Sequence, residues 1–186
     1  MNRYIILVLI SMITTINLSA EVLVGKVVRV SDGDTFTILL ANHKQVRVRM
    51  YGIDAPEIKG GQPYSQASRA CLSEMIAGKM VEVYVHEYDR YGRALGTVST
   101  KDIRDVNLEM LLAGMAWHYS YFDSTPDYRN AERRAKRIRI GLWNDPHPIN
   151  PYNWRKGERP QIHSYVPRPA PRHRHRTPPH YAGHFH

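Results

Sequence analysis

The sequence predicts an α+β fold: a small closed β-barrel of five strands with three α-helices appended. Five short segments rich in β-branched residues alternate apolar and polar side chains, a period typical of half-buried strands. Three longer segments place apolar residues at helical spacing between recognisable caps. At 186 residues, the chain has the length of one domain with terminal extensions.

Residues 1–20 are predicted to be a secretory signal peptide rather than part of the fold. A short positive start at residues 1–4 precedes an apolar run from Ile5 to Ile16. This run is too short to span a bilayer comfortably, which favours a signal peptide over a transmembrane helix. Ala20 is a small residue suited to cleavage, so we expect processing after it. We therefore expect a secreted or periplasmic protein without stable membrane association; an uncleaved anchor is the alternative.

The first three strands are predicted near the start of the domain. Residues 22–30 are rich in β-branched side chains, and residues 35–40 form a second such segment. Asn42 and His43 supply a tight turn before the third strand, residues 46–51. Period two in that strand places Arg49 on the face opposite its apolar residues, where Asp34 can approach it.

Two further strands and three helices complete the predicted fold. Residues 80–88 alternate again, and residues 93–99 pair with them across a four-residue turn. The first helix covers residues 64–76, and Asp105 caps a second helix. Thr125, followed by proline, begins a third helix, which we expect to end at Gly141. Five short strands with appended helices indicate a barrel of the oligonucleotide/oligosaccharide-binding (OB) type.

The composition changes at the C-terminus. Residues 160–186 are rich in proline, histidine and arginine and have almost no apolar content, so we expect a disordered tail. Its simplest role is a soluble basic extension. Alternatives are non-specific tethering to polyanions and the binding of zinc or copper by its histidines.

The charge balance and the single cysteine limit which partners and which cysteine chemistry the chain can have. The chain has 26 Lys and Arg against 17 Asp and Glu, a balance that favours polyanionic partners but also fits many secreted proteins. The single cysteine, Cys71, excludes an intramolecular disulfide framework. It lies in an apolar helical pattern, which favours a buried small side chain over a reactive thiol.

Three short motifs carry groups that suit chemistry on phosphate esters. They are Asp32-Gly33-Asp34-Thr35, then Arg49 followed by Asp54-Ala55-Pro56-Glu57, then Tyr91-Gly92-Arg93. Carboxylates bind hard cations, and a guanidinium stays charged while it holds two phosphate oxygens at once. Each motif alone has an ordinary alternative: a turn for the first, a residue after a proline turn for Glu57, and surface ion pairs for the arginines. Together they indicate a nuclease.

In order and approximate spacing, these motifs resemble the staphylococcal nuclease (thermonuclease) family. The resemblance extends from about residue 22 to residue 154, and we expect an SNase-like nuclease domain over residues 21–159. It implies the same OB-type barrel. It also implies that Asp34, Asp54 and the backbone carbonyl of Ala55 bind calcium.

The resemblance further implies roles for the remaining site residues. Glu57 matches the carboxylate that deprotonates or orients the attacking water, and Arg49 and Arg93 match the pair that stabilises the transition state. Tyr91 matches a tyrosine that contacts a neighbouring phosphate, and Arg90 occupies a position that is usually basic in the family, so both are expected to bind substrate. A tyrosine on which a base stacks is expected at Tyr119 or Tyr121, and packing at the end of the second helix is the alternative for both.

The expected function is that of a calcium-dependent nuclease acting on DNA and RNA. The resemblance implies products with 3′-phosphate ends, and stacking together with phosphate contacts favours single strands. We expect a monomer. The alternative is a non-catalytic nucleic-acid-binding module on the same barrel, and a third possibility is a metal chelator that acts through its histidine tail.

Overall fold

The computed structural model describes residues 21–160. The predicted signal peptide and all but the first residue of the predicted tail lie outside the described residues. Within residues 21–160 the chain forms seven strands: β1 Glu21–Val30, β2 Thr35–Leu40, β3 Gln45–Met50, β4 Ile53–Asp54, β5 Met80–Tyr88, β6 Ala94–Thr100 and β7 Trp117–His118.

Five of these strands close into a barrel in the order β1-β2-β3-β6-β5. Strand β1 pairs antiparallel with both β2 and β5, so it has no free edge. The parallel pairing of β3 with β6, in which Val48 lies opposite Ala94, completes the ring. The predicted OB-type barrel is confirmed, and its five strands lie within one or two residues of the predicted bounds.

The barrel interior is filled by the alternating apolar residues that the sequence indicated. They are almost fully buried, and those on the strands include Phe36, Ile38, Val46, Val48, Met50, Val81, Val83 and Val98. Val85 is only partly buried, because the register of β5 against β6 shifts immediately after it. Because the interior is packed with side chains, functional groups must lie on the outside of the barrel or at its ends.

Four α-helices lie in the described part of the chain: α1 Ser65–Ile76, α2 Val106–Leu112, α3 Pro126–Ile138 and α4 Pro151–Arg155. The first three match the predicted helices, and the five-residue α4 was not expected. Asp105 caps α2 as predicted, because its carboxylate accepts a hydrogen bond from Leu108 N at 2.9 Å. None of these helices is long and apolar enough to cross a membrane.

Two details of α3 differ from the prediction. The Thr125 side chain does not cap the helix, because its hydroxyl donates to Asp123 Oδ1 at 2.6 Å instead. Helix α3 ends at Ile138, three residues before the predicted stop at Gly141, and Arg139 follows in the left-handed conformation. Gly141 serves a different purpose: a Cβ there would lie 2.3 Å from the carbonyl oxygen of Gly114, so only glycine permits this close approach of backbones.

Asn107 on α2 connects the helix to the barrel through hydrogen bonds. Its side chain is fully buried, donates to the carbonyl oxygens of Tyr51 and Gly96, and accepts from Val98 N. Replacing Asn107 with alanine leaves these buried groups unpaired, so we expect the free energy of unfolding to fall by about 3 kcal/mol. Urea denaturation measures the change, with Asn130→Ala on the exposed face of α3 as the control. A loss no larger than that of the control would contradict this role.

Candidate active site

The turn between β1 and β2 places Asp34. Backbone amides of Ser31 and Asp32 donate to the carbonyl oxygen of Thr35 at 2.8 and 3.1 Å, so this segment is a tight turn. Gly33 is required because a Cβ there would lie 1.8 Å from the Ser68 hydroxyl. The Asp34 side chain is 2% exposed, and its Oδ2 accepts from Ala55 N at 2.9 Å. The motif is therefore a turn, and this turn aims Asp34 at the chain that follows β4.

The short strand β4 places the second carboxylate. It pairs antiparallel with β7, with Asp54 opposite Trp117, and Asp54 is 1% exposed. Charged side chains are almost never buried to this degree without partners. The partners of Asp54 are two guanidinium groups.

Arg49 is the first of these partners, and it joins both carboxylates. Its Nη1 donates to Asp34 Oδ1 at 3.2 Å and its Nη2 to Asp54 Oδ1 at 2.6 Å. One guanidinium contacts both carboxylates, so the two carboxylates converge on one point. The Asp34 charge, followed by that of Asp54, raises the pKa of Arg49 against the opposing effect of its burial.

Arg155, at the end of α4, is the second partner, and the sequence analysis missed it. It donates to both oxygens of Asp54, at 3.1 and 2.9 Å, and to Glu57 Oε1 at 2.6 Å. Asn150 followed by Pro151 is a local signal for the helix that carries it, since asparagine caps α4 and proline begins it. No local pattern indicates that this helix contacts a carboxylate 98 residues away.

Glu57 is half-buried and shares the Arg155 guanidinium with Asp54. Burial raises its pKa from the ordinary glutamate value, and the hydrogen bond from Arg155 opposes that rise. Asp32 is affected in the same way, since burial and the nearby Asp34 charge raise its pKa.

The third motif forms one wall of the same cleft. Asp89 accepts from the backbone amides of Tyr91 and Arg93 and from Arg93 Nε at 2.6 Å, which holds this arginine in a fixed turn. The guanidinium carbons of Arg90 and Arg93 lie 5.1 and 5.8 Å from the centre of the Tyr91 ring. The cleft has a volume of about 680 Å³. It is lined by most of the predicted site residues, among them Asp34, Arg49, Ala55, Glu57, Arg90, Tyr91, Arg93 and Tyr119.

The two tyrosine candidates differ in position. Tyr119 lines the cleft with Phe122, whereas Tyr121 is 82% exposed and is not among the lining residues. The Phe122 ring centre lies 5.0 Å from that of Tyr119 and 4.8 Å from that of Tyr121. Both tyrosines follow β7 rather than ending α2. Because Tyr119 lines the cleft and Tyr121 does not, Tyr119 is the better placed of the two to contact a substrate.

The oxygen atoms of Asp34, Asp54 and Ala55 determine whether a cation can bind in the cleft. In residues 21–160 no group of three or more His, Cys, Asp or Glu side chains converges. A carboxylate accepts about four hydrogen bonds. Asp34 accepts from Thr35, Arg49 and Ala55, while Asp54 accepts once from Arg49 and twice from Arg155. Each carboxylate thus keeps an acceptor position. Two carboxylates, the Ala55 carbonyl and water fit a hard cation such as calcium, which accepts such mixed oxygen ligands.

A closed OB-type barrel with paired carboxylates and arginines at one cleft carries the groups that phosphodiester hydrolysis requires. Residues 47–145 match the family model described as "Staphylococcal nuclease homologue". The chain belongs to the staphylococcal nuclease family.

Named relatives agree with this assignment. The chain is 39% identical over 160 residues to an "Uncharacterized endonuclease" of Haemophilus influenzae, covering 85% of this chain and 88% of that protein. It is 41% identical over 131 residues to an "Uncharacterized endonuclease" of Escherichia coli O157:H7, covering 70% and 84%. A "Micrococcal nuclease" of Shigella flexneri is 37% identical over 145 residues, covering 73% and 82%.

Proposed function

We propose that the protein is a calcium-dependent nuclease that hydrolyses phosphodiester bonds of DNA and RNA and leaves 3′-phosphate ends. The observation that carries this proposal is the contact of one guanidinium, Arg49, with both Asp34 and Asp54. That contact lies in a cleft which also holds Glu57 and Arg93. The names of the relatives support nuclease activity.

Each side chain has a distinct task in this proposal. Asp34, Asp54 and the Ala55 carbonyl hold the cation, which when bound supplies positive charge that polarises the phosphoryl group. Glu57 accepts a proton from the attacking water, or orients that water, in line with the leaving 5′ oxygen. Arg49 and Arg93 stabilise the negative charge that gathers on the phosphoryl oxygens in the transition state.

Substrate binding is assigned to the rim of the cleft. Arg90 and Tyr91 contact phosphate, and Tyr119 offers a ring on which a base stacks, with the more exposed Tyr121 as the second candidate. Stacking needs an unpaired base, so we propose a preference for single strands. Among the described residues that line the cleft, none is identified as a reader of a 2′-hydroxyl, which supports action on both DNA and RNA.

The test is digestion of end-labelled single-stranded DNA and RNA by the purified full chain with calcium. We expect shortened products whose mobility changes on treatment with phosphatase, as 3′-phosphate ends require. Products with 3′-hydroxyl ends would contradict the proposed cleavage. Full-length oligonucleotide that is retarded but uncut would favour the alternative, a non-catalytic binding module.

The raised pKa of Glu57 should be measurable in the calcium-free protein. Burial disfavours the ionised carboxylate, so Glu57 should stay protonated to a higher pH than an ordinary glutamate, whose pKa is 4.5. NMR titration of the side-chain carboxyl in chelator, with Glu57→Gln to assign the signal, gives the midpoint. A midpoint at or below 4.5 would contradict the raised pKa. A bound cation favours the ionised form, so the midpoint should fall when calcium is added.

We also propose that the protein acts as a monomer in the periplasm or outside the cell. The support for this location is the sequence of residues 1–20, which has the pattern of a signal peptide. Detecting the protein in periplasmic or culture fractions, with residue 21 as its first residue, tests the location.

A further inference from the structure

We propose that Arg155 is a built-in cation that competes with the divalent cation for Asp54, and so sets the concentration at which that cation binds. This inference deepens the proposed calcium-dependent function and rests on it. It assigns a role to a residue that none of the three sequence motifs contains.

The contacts of Arg155 resemble those of a cation that bridges acidic ligands. Its guanidinium donates to both Asp54 oxygens and, through Nη1, also to Glu57 Oε1 at 2.6 Å. Asp54 is 1% exposed and therefore has almost no contact with water. The hydrogen bonds from Arg155 stabilise its negative charge in place of hydration. Arg155 thus supplies positive charge where the proposed calcium site needs it.

Two cations cannot share Asp54 without repulsion. Calcium lies about 2.3–2.6 Å from a carboxylate oxygen, so at Asp54 it would come within about 5 Å of the Arg155 guanidinium. Both Asp54 oxygens already bond Arg155, whereas both Asp34 oxygens are free of it. Calcium therefore binds with its full affinity only when Arg155 moves away from Asp54.

Arg155 is better placed to move than Arg49. The Arg155 side chain is 38% exposed and the Arg49 side chain 17% exposed. Arg49 lies in β3, paired on both sides within the barrel, while Arg155 is the last residue of a five-residue helix. Arg155 also keeps a second acidic partner in Glu57, so release from Asp54 does not leave its charge unpaired.

Calorimetric titration of calcium into the full chain tests the inference without any substrate. We expect Arg155→Gln to bind calcium about tenfold more tightly than the unchanged protein, because a like charge beside the site is gone. Arg29→Gln, on the exposed face of β1, is the matched control and should leave the affinity unchanged. In chelator, Arg155→Gln should also melt at a lower temperature, and calcium should raise its Tm by more than it raises that of the unchanged protein.

The outcomes separate this inference from the function on which it rests. Equal or weaker calcium affinity in Arg155→Gln, with normal binding by the unchanged protein, overturns the competition and leaves the nuclease proposal standing. Absence of calcium binding in both proteins overturns the calcium site and the competition together. Should the glutamine variant fail to fold, Arg155→Lys decides: it should bind calcium more tightly than the unchanged protein, because lysine lacks the fork that holds both Asp54 oxygens. Unchanged or weaker affinity in that variant overturns the inference.

Discussion

Replacing Glu57 with glutamine is expected to slow cleavage of single-stranded DNA by about 10²–10⁴-fold, the range associated with a positioned general base. The amide has the same shape but cannot accept the proton of the attacking water. Affinity for the oligonucleotide should change little, because Glu57 is assigned no contact with phosphate or base. Single-turnover rates and fluorescence anisotropy with the same oligonucleotide measure the two quantities separately.

The control for this variant is Glu74→Gln, at an exposed position of α1 outside the three motifs. It should cleave at the normal rate, which shows that loss of one negative charge is not the cause. Unchanged cleavage by Glu57→Gln would remove Glu57 from the proposed mechanism. A parallel loss of binding and cleavage would instead indicate that the residue supports the shape of the cleft.

Replacing Arg49 with lysine is expected to lower kcat/KM by about 10²–10³-fold, although the charge is kept. A guanidinium has a planar fork that contacts two oxygens at once, and an ammonium group does not. In this protein the fork spans Asp34 and Asp54, at 3.2 and 2.6 Å. Lysine cannot reproduce both contacts, so the variant should lose transition-state stabilisation and some order among the carboxylates.

Arg29→Lys, on the exposed face of β1, is the control for this second variant and should retain normal activity. The melting temperature of Arg49→Lys in chelator separates lost catalysis from lost folding. A folded lysine variant with normal kcat/KM would contradict the role of Arg49, because only the bidentate geometry has been removed.

The strands and the turns that carry the three motifs could be predicted because their signals are local, whereas closure of the barrel was implied by the family resemblance. Period-two alternation in β3 fixes which face holds Val48 and which holds Arg49, and this pattern is independent of distant contacts. The β1–β2 turn is likewise closed by backbone hydrogen bonds among neighbouring residues, from Ser31 and Asp32 to Thr35, and it places Asp34. Such features depend on a few neighbouring residues, which is why the motif spacing was informative.

The remaining features depend on packing between distant segments. The contact of Arg155 with Asp54 spans 101 residues and follows from the position of α4 against the barrel. The Thr125 side chain is an exception, because the contact that directs it away from the helix amides is local: its hydroxyl donates to Asp123, two residues earlier. Burial of Glu57, which raises its pKa, is also a tertiary effect that local sequence does not encode.

The most direct measurement of the central claim is digestion of single-stranded DNA by the purified full chain, first in chelator and then with calcium restored. The claim is that Asp34 and Asp54 hold one cation on which hydrolysis depends. We predict no cleavage in chelator, recovery on addition of calcium, and no recovery in Asp54→Ala. Cleavage at the full rate in chelator, or full recovery by Asp54→Ala, would contradict it.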